Sequence, residues 1–496
     1  SSHFGPRPAL GPGPKRARAM EPDGWDLFGD DGPAAGEAPV LGSTPAGGGR
    51  EGAGGVPAAE HPYFSNAHEA DFETLASAAE EFVPTACDLL AADGPEGRAL
   101  AGALHKAFTL LAPGSDAAAC AEAARKAAAR AWRQLQSRPP TEALIHAHAF
   151  SHAILASRLS DPAEAMRHAD MALLLSPDLP IRALRELAAE CDERCRRAGA
   201  PPPPALGDAL AWEVPARLPA GAAKVPKLSR RTPRAACGSV AHFLEAHLRP
   251  ARPVVLEGHL ETAGWAARER WADLRFWAGR HGHRSVPVEL GARAADAAGE
   301  ALASSPEAEG SLLLADFVAR FLLPSNAALS PGAGPPPEGE PADEWSASPV
   351  AYMGQHLLLA QIPELRADVA VPCFCSLGSL RTVNVWLGTA GTVTSLHYDN
   401  DDNLLAQVAG FKYVRLYAAS EASRLYATLA PRAARGHGES FSPVRVERPD
   451  LAAHPDFPAA PFEEAILGPG DMLFIPRHVW HYVRALTTSL SVNFWF

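Results

Sequence analysis

The sequence predicts an α+β protein, an all-α domain followed by a strand-rich sandwich or small barrel of jelly-roll type. Two observations predict it. Ala- and Leu-rich helical spacing fills the stretch from about Phe72 to Cys195, and closely spaced strand-length runs with Gly/Pro turns take over after Arg381. At 496 residues the chain is too long for one typical core, so two domains plus irregular segments are expected.

The irregular segments come first. Residues 1–60 hold 14 Gly and 9 Pro with almost no apolar periodicity, which predicts a disordered tail. Inside it, Pro14-Lys15-Arg16-Ala17-Arg18 reads either as a nuclear address or as a solvated charge cluster, and Met20 offers an alternative start.

Residues 61–198 form the expected helical domain. Leu100, Leu104, Ala107 and Leu111, then Ala165, Ala169, Ala172 and Leu173, follow the spacing of buried helix faces. Pro84, Pro113, Pro139-Pro140, Pro162, Pro177 and Pro180 divide it into five or six helices. The stretch from Ala165 to Pro177 looks like one helical-hairpin repeat of tetratricopeptide type. His146, His148 and His152 lack a HExxH pattern and read as surface or satisfied histidines, not as a metal site.

Residues 199–226 are a Pro-rich, basic linker. Residues 227–496 form the second domain, with a Pro/Gly/Glu-rich loop at 325–344. Its strands are expected at 252–258, 285–291, 382–387, 392–398, 404–408, 412–417, 472–475, 479–484 and 489–496.

Composition narrows the function. Acids outnumber bases 57 to 45, so the chain is no general nucleic-acid binder, and direct nucleic-acid contact is not expected. Seven scattered cysteines without a CxxC pair argue for reduced thiols. No apolar run approaches the ~18–20 residues that cross a bilayer, and no signal-peptide core opens the chain, so an intracellular protein without a membrane partner is expected.

The chemistry lies in His397-Tyr398-Asp399 and in His481, 84 positions later. Residues two apart on a strand share a face, so His397 and Asp399 grip one ion with Tyr398 directed away. An imidazole from a strand across the barrel then completes two histidines and a carboxylate. That set leaves coordination positions open and suits a non-haem Fe(II) oxygenase. His478 competes with His481 but falls at the entry turn of its strand. The run Asp399 to Asn403 mimics a calcium loop, yet Leu404 and Gly410 stand where that loop needs Gly and Glu. Lys412 lies in an otherwise apolar, aromatic strand, and a buried ammonium needs an anion, from the protein or from a ligand.

These residues, with Trp386-Leu387-Gly388, Asn403 to Val408, Lys412 to Tyr417 and Gly468 to Pro476, resemble a Jumonji-C (JmjC) oxygenase. Gln355-His356, Gln361 to Leu365, Cys375 to Gly378 and Trp480 to Leu486 are similar to the Jumonji domain-containing protein five, or lysine demethylase eight, subfamily. The resemblance implies a double-stranded β-helix of cupin type. It implies Fe(II) on His397, Asp399 and His481, which are thereby the catalytic centre, and O₂ as co-substrate. It further implies 2-oxoglutarate on Lys412, Tyr352, Thr394 and Asn403, with Trp386 and Glu289 on the substrate side.

The implied activity is hydroxylation of a protein side chain, arginine foremost, or demethylation of a histone tail. Either way the partner is a basic protein or peptide, and the implied location is the nucleus, with the cytoplasm as a second place. Ala294-Ala295-Asp296 stand where the subfamily offers aromatic residues, which counts against an aromatic cage for a methylated cation. The rival class is a catalytically silent JmjC-fold reader or scaffold in chromatin regulation. Degenerate members would lose a metal ligand or the lysine, and here all four residues stand.

Overall fold

The computed structural model describes residues 55–64, 74–137, 139–174, 182–199, 212–219, 225–236, 238–291, 311–328, 350–429 and 440–496. Six long helices form the first layer: α1 (Leu75–Ala92), α2 (Gly94–Thr109), α3 (Ala117–Ser137), α4 (Glu142–Arg158), α5 (Pro162–Leu174) and α6 (Arg182–Ala198). Thr74 and Thr141 cap α1 and α4 by accepting hydrogen bonds from the Ser77 and Leu144 backbone N–H groups. Helix α4 is buried almost all round, because it lies in the middle of the bundle and packs on α1, α3 and α5.

The remaining architecture is β-rich. The strands are β1 (Val56–Pro57), β2 (Arg234–Ala236), β3 (Val254–Glu257), β4 (Ser285–Pro287), β5 (Glu289–Gly291), β6 (Ser311–Leu313), β7 (Val350–His356), β8 (Ala370–Val371) and β9 (Thr382–Gly388). They continue with β10 (Val393–His397), β11 (Asn403–Ala409), β12 (Lys412–Tyr417), β13 (Thr428–Leu429), β14 (Ser440–Phe441), β15 (Phe462–Leu467), β16 (Met472–Ile475), β17 (Trp480–Ala485) and β18 (Ser489–Trp495).

Two sheets face each other. The larger runs β2-β3-β16-β11-β18-β9-β7-β5 and the smaller runs β13-β14-β10-β17-β12-β15. Their antiparallel centres, β16-β11-β18-β9 and β10-β17-β12-β15, make the double-stranded β-helix.

Alternation along these strands is inverted relative to an ordinary sandwich. Leu404, Ala406, Val408, Leu490, Val492, Phe494, Val383, Val385 and Leu387 turn outward into a large core that also holds Phe243, Leu260, Trp277 and Phe317 from short helical turns between β2 and β7. Asn403, Lys412, His481, Ser491 and Asn493 stand at the positions of opposite parity and face the interior between the sheets. One end of that interior is closed by apolar side chains, among them Leu405, Val414, Leu416, Leu473 and Val483. The other end is polar.

The turn from β11 to β12 fixes the spacing between Asn403 and Lys412. Gly410 has φ 71°, and a Cβ there would stand 1.9 Å from the Thr488 carbonyl oxygen. Gly410→Ala is expected to destabilise the fold by about 2–4 kcal/mol, through the left-handed backbone and that clash. Urea unfolding of the two proteins checks it.

Several expectations need correction. Val56–Pro57 pairs with Ala370–Val371, and Ala58 N–H donates to the Val369 carbonyl, so the tail's last residues are ordered against the β-rich part. Pro84 lies inside α1 and does not end it. Within the linker, Val214 is buried, and Trp212 and Val214 share backbone hydrogen bonds with Leu274 and Ala272. The loop expected from 325 does not start there: a helix runs over Leu323–Ala327 and the Ser325 hydroxyl accepts a hydrogen bond from the Ala390 N–H. The basic cluster at Lys15–Arg18 and residues 329–349 and 292–310 lie outside the described residues.

The helical histidines are buried as well. His152 and His168 share a 2.8 Å contact between their Nδ1 atoms, while neither ring nitrogen of His148 has a hydrogen-bond partner among the described residues.

Candidate metal centre

His397 ends β10 and His481 lies near the start of β17, directly opposite it in the antiparallel ladder. The second imidazole therefore comes from the neighbouring strand of the same sheet, not from across the barrel, and the ring centroids are 4.2 Å apart. Asp399 lies past the end of β10, so it reaches the centre from a loop and not from the strand face. Its carbonyl oxygen accepts from the His478 N–H at 2.8 Å, which ties that loop to the entry of β17. His478 is exposed and has φ 65°, so the backbone of this residue serves the site while its imidazole stays outside. Tyr398 turns away and packs on Trp480.

A β-bulge completes the inner wall. Thr394 pairs with Val483 and His397 with His481, so three steps on β10 match two on β17. The extra residue lets Thr394 and His397, three apart, both serve the interior.

The donor atoms of His397, Asp399 and His481 all lie within 4.8 Å of one another, the one group of its kind among the described residues. His397 Nδ1 stands 2.7 Å from the Ser395 carbonyl and His481 Nδ1 3.0 Å from the Val479 carbonyl. A carbonyl only accepts, so each Nδ1 carries the proton and each Nε2 presents a lone pair. Nε2 of His397 and of His481 stand 3.5 Å and 3.6 Å from the Asp399 carboxylate. Burial pushes His481 down to about 4, so it is neutral at pH 7. Burial opposes ionisation of Asp399, and the Asn403 amide, donating to its carboxylate, favours it. Asp399 Oδ1 is buried without a hydrogen-bond partner among the described residues. Lone pairs converging around a buried carboxylate fit a divalent cation, and the nitrogen–oxygen set fits Fe(II).

Lys412 stands next to this centre on β12, 3% exposed, with Nζ 6.0 Å from the ring centroids of both Tyr352 and Trp386. Among the described residues no carboxylate forms an ion pair with it, and burial pushes the ammonium down to about 7. The Tyr352 phenol, raised by burial, shares a hydrogen bond with Thr394. Glu289 on β5 is paired directly with Tyr352 on β7 and is exposed at the rim.

Asn403 stands beside the metal carboxylate, its Nδ2 3.5 Å from Asp399 Oδ2. Its Oδ1 accepts from Asn493 Nδ2 at 3.2 Å, and Asn493 Oδ1 accepts from Trp386 Nε1 at 2.7 Å. A polar chain thus runs from Trp386 to Asp399. Asn493, and Asn384 opposite it in the ladder with a buried Nδ2 that has no partner among the described residues, have no role assigned from sequence. The available signal was the inverted alternation of Ser489, Ser491 and Asn493 against Leu490, Val492 and Phe494. Asn493→Ala is expected to weaken Mn(II) binding about 10- to 100-fold by releasing Asn403 from its orientation. Competitive metal titration reads it.

A double-stranded β-helix with two histidines and a carboxylate at its polar end defines the cupin class of metal-binding proteins. Residues 240–496 match the model of the cupin-like domain family. The chain belongs to that family, in the JmjC branch represented by the relatives that follow. It is 35% identical over 295 residues to lysine-specific demethylase 8 of Xenopus tropicalis, covering 58% of this chain and 57% of that one. It is 34% identical over 271 residues to the protein of the same name in Danio rerio, covering 54% and 58%. It is 30% identical over 266 residues to Jumonji C domain-containing protein 5 of Drosophila melanogaster, covering 52% and 57%. The matches thus span under three fifths of each relative's length.

Proposed function

We propose that this chain is an Fe(II)- and 2-oxoglutarate-dependent oxygenase that hydroxylates a side chain of a basic protein, arginine foremost. The observation that carries the reading is Lys412, a buried ammonium with no carboxylate partner among the described residues, placed beside an open two-histidine, one-carboxylate centre. An oxo-diacid that chelates the metal leaves a distal carboxylate that satisfies this ammonium. When bound, Fe(II), 2-oxoglutarate and O₂ supply the oxidising chemistry, yielding succinate, CO₂ and one oxygen atom delivered to a substrate C–H bond.

The protein's part is placement. Lys412 holds the diacid and, once paired, keeps its proton at neutral pH. Tyr352 and Thr394 present hydroxyls to the same pocket, and Trp386 walls it. Glu289, exposed at the rim, is placed to receive a guanidinium or ammonium and so to bring one carbon of a basic side chain toward the centre. Tyr352 and Trp386 already flank Lys412, which favours a hydroxylated arginine over a caged methylammonium. The relatives named as lysine-specific demethylases keep N-methyl groups of a histone tail as the second substrate class. An intact metal set and lysine argue against a silent scaffold. Action in the nucleus belongs to the same proposal and rests on the basic cluster near Lys15; imaging of the tagged full chain with Arg16 and Arg18 replaced tests it.

The deciding experiment incubates the protein with Fe(II), 2-oxoglutarate and O₂ and either arginine-containing or N-methylated basic peptides. Mass spectrometry reads a gain of one oxygen atom against the loss of a methylene. Hydroxylated arginine with matching succinate is expected. No oxo-acid turnover with either peptide set would sink the oxygenase reading.

A further inference from the structure

The helical layer is fastened to the β-rich part by a buried polar network that ends at His356 on β7. Asp170 on α5 is fully buried. Its carboxylate accepts from Arg284 Nη2 (2.6 Å), the Ser285 backbone N–H (2.7 Å) and Gln361 Nε2 (2.8 Å). Gln361 Nε2 also donates to the Ser285 carbonyl at 2.7 Å, and its Oε1 lies 2.6 Å from His356 Nε2. With both amide protons on Gln361 engaged, its oxygen must accept, so His356 carries the proton on Nε2. Burial keeps that imidazole neutral.

His356 closes β7, and β7 is irregular at this point. Met353 pairs with Leu387 while His356 pairs with Val385, so one extra residue is accommodated between them. Gln355 takes φ 45°, a conformation disfavoured for any residue with a Cβ. Such a bulge persists where neighbouring groups over-determine it. Tyr352, just before the bulge, reaches Thr394 and flanks Lys412. Ser285, the other end of the Asp170 grip, begins β4, and β5 follows it carrying Glu289 to its place opposite Tyr352.

We infer that Asp170, acting through Gln361 and His356, is a positioning residue for the oxo-acid site. The helical layer holds the β7 bulge in the register that sets Tyr352 beside Lys412 and Glu289 at the rim. Arg284 neutralises Asp170, so a purely structural ion pair would be complete without Gln361; the amide adds the link to β7. The inference rests on the proposed oxo-acid site for its functional meaning, and on strand geometry for its physical content.

The test uses the full chain with Gln361→Met, which keeps the side-chain length and removes both hydrogen-bonding ends, with Asp170→Asn as the second variant if the first does not fold. Arg196→Ala is the control. It cuts the partly exposed pairs to Asp192 and Glu364 at the rim of the same interface without touching the link to β7. Hydrogen exchange is expected to quicken in residues 350–356 of the variant and to stay unchanged in residues 480–485. Binding of 2-oxoglutarate to the Mn(II)-loaded protein, read by calorimetry, is expected to weaken about tenfold while Mn(II) affinity holds. Arg196→Ala should behave as wild type in both. Unchanged exchange in 350–356, or equal losses of Mn(II) and 2-oxoglutarate binding with exchange quickened everywhere, would overturn the inference. Wild-type protein that binds no 2-oxoglutarate would instead defeat the oxo-acid reading, and the exchange pattern alone then decides whether Asp170 positions β7.

Discussion

His397→Ala is expected to abolish 2-oxoglutarate-dependent succinate release and to leave the fold intact. His397 supplies one of three donors and stands at the last residue of β10, so its loss removes a ligand without breaking the ladder between β10 and β17. Altering a group that only supports a ligand costs about 10- to 100-fold in metal affinity, and removing the ligand itself should exceed that range. The smaller side chain also gives up the contacts of His397 with His481 and Phe441, so thermal stability of the metal-free protein should hold or fall slightly. Metal titration, succinate release and thermal unfolding of the two proteins check the three parts. Turnover persisting in the variant would refute the assignment.

Lys412→Met should separate function from stability in opposite directions. Without its anion Lys412 is a buried charge that burial lowers from 10.5 to about 7, so between those pH values the unfolded chain binds more protons than the folded one. Stability from this group therefore rises as pH climbs from 7 toward 10.5, and the penalty is fully present below pH 7. Methionine removes it, which linkage puts at ~4 kcal/mol near pH 7 as a ceiling. The variant is expected to unfold at higher temperature than wild type at pH 7 and to lose most of that advantage by pH 10. Its binding of 2-oxoglutarate should fall by at least about 30-fold, the cost of cutting one partner from a buried charge pair. Addition of 2-oxoglutarate should raise the unfolding temperature of wild type alone.

How much of this was legible in the residues varies with the range of the interaction. His397-Tyr398-Asp399 was legible because a two-residue spacing has local meaning. His481 was singled out by its late position in a strand, but its actual place, next door in the same sheet, depends on pairing between segments 84 residues apart. Strand β15, Phe-Glu-Glu-Ala-Ile-Leu, was not expected, because Glu, Ala and Leu favour helix; tertiary pairing with β12 overrides that preference. Strand β7 was not expected either, since its Gly354 and its bulge erase the alternation that marks a strand. Asn493 was hidden for another reason. Inside a barrel the polar residues face inward, so a search for apolar inner faces passes over them.

By themselves, the residues determined the class of chain: helices first, a jelly-roll of strands after, and a metal set with a lysine in its second half. Those follow from spacing and side-chain chemistry, which act over a few residues. Only the tertiary structure decided that His397 and His481 are ladder partners, that bulges interrupt β10 after Thr394 and β7 after Met353, and that Asp170 of the helical layer is linked through Gln361 to His356 on the strand bearing Tyr352. Each depends on register and on contacts between distant segments, and a shift of one residue in a strand turns every side chain to the opposite face.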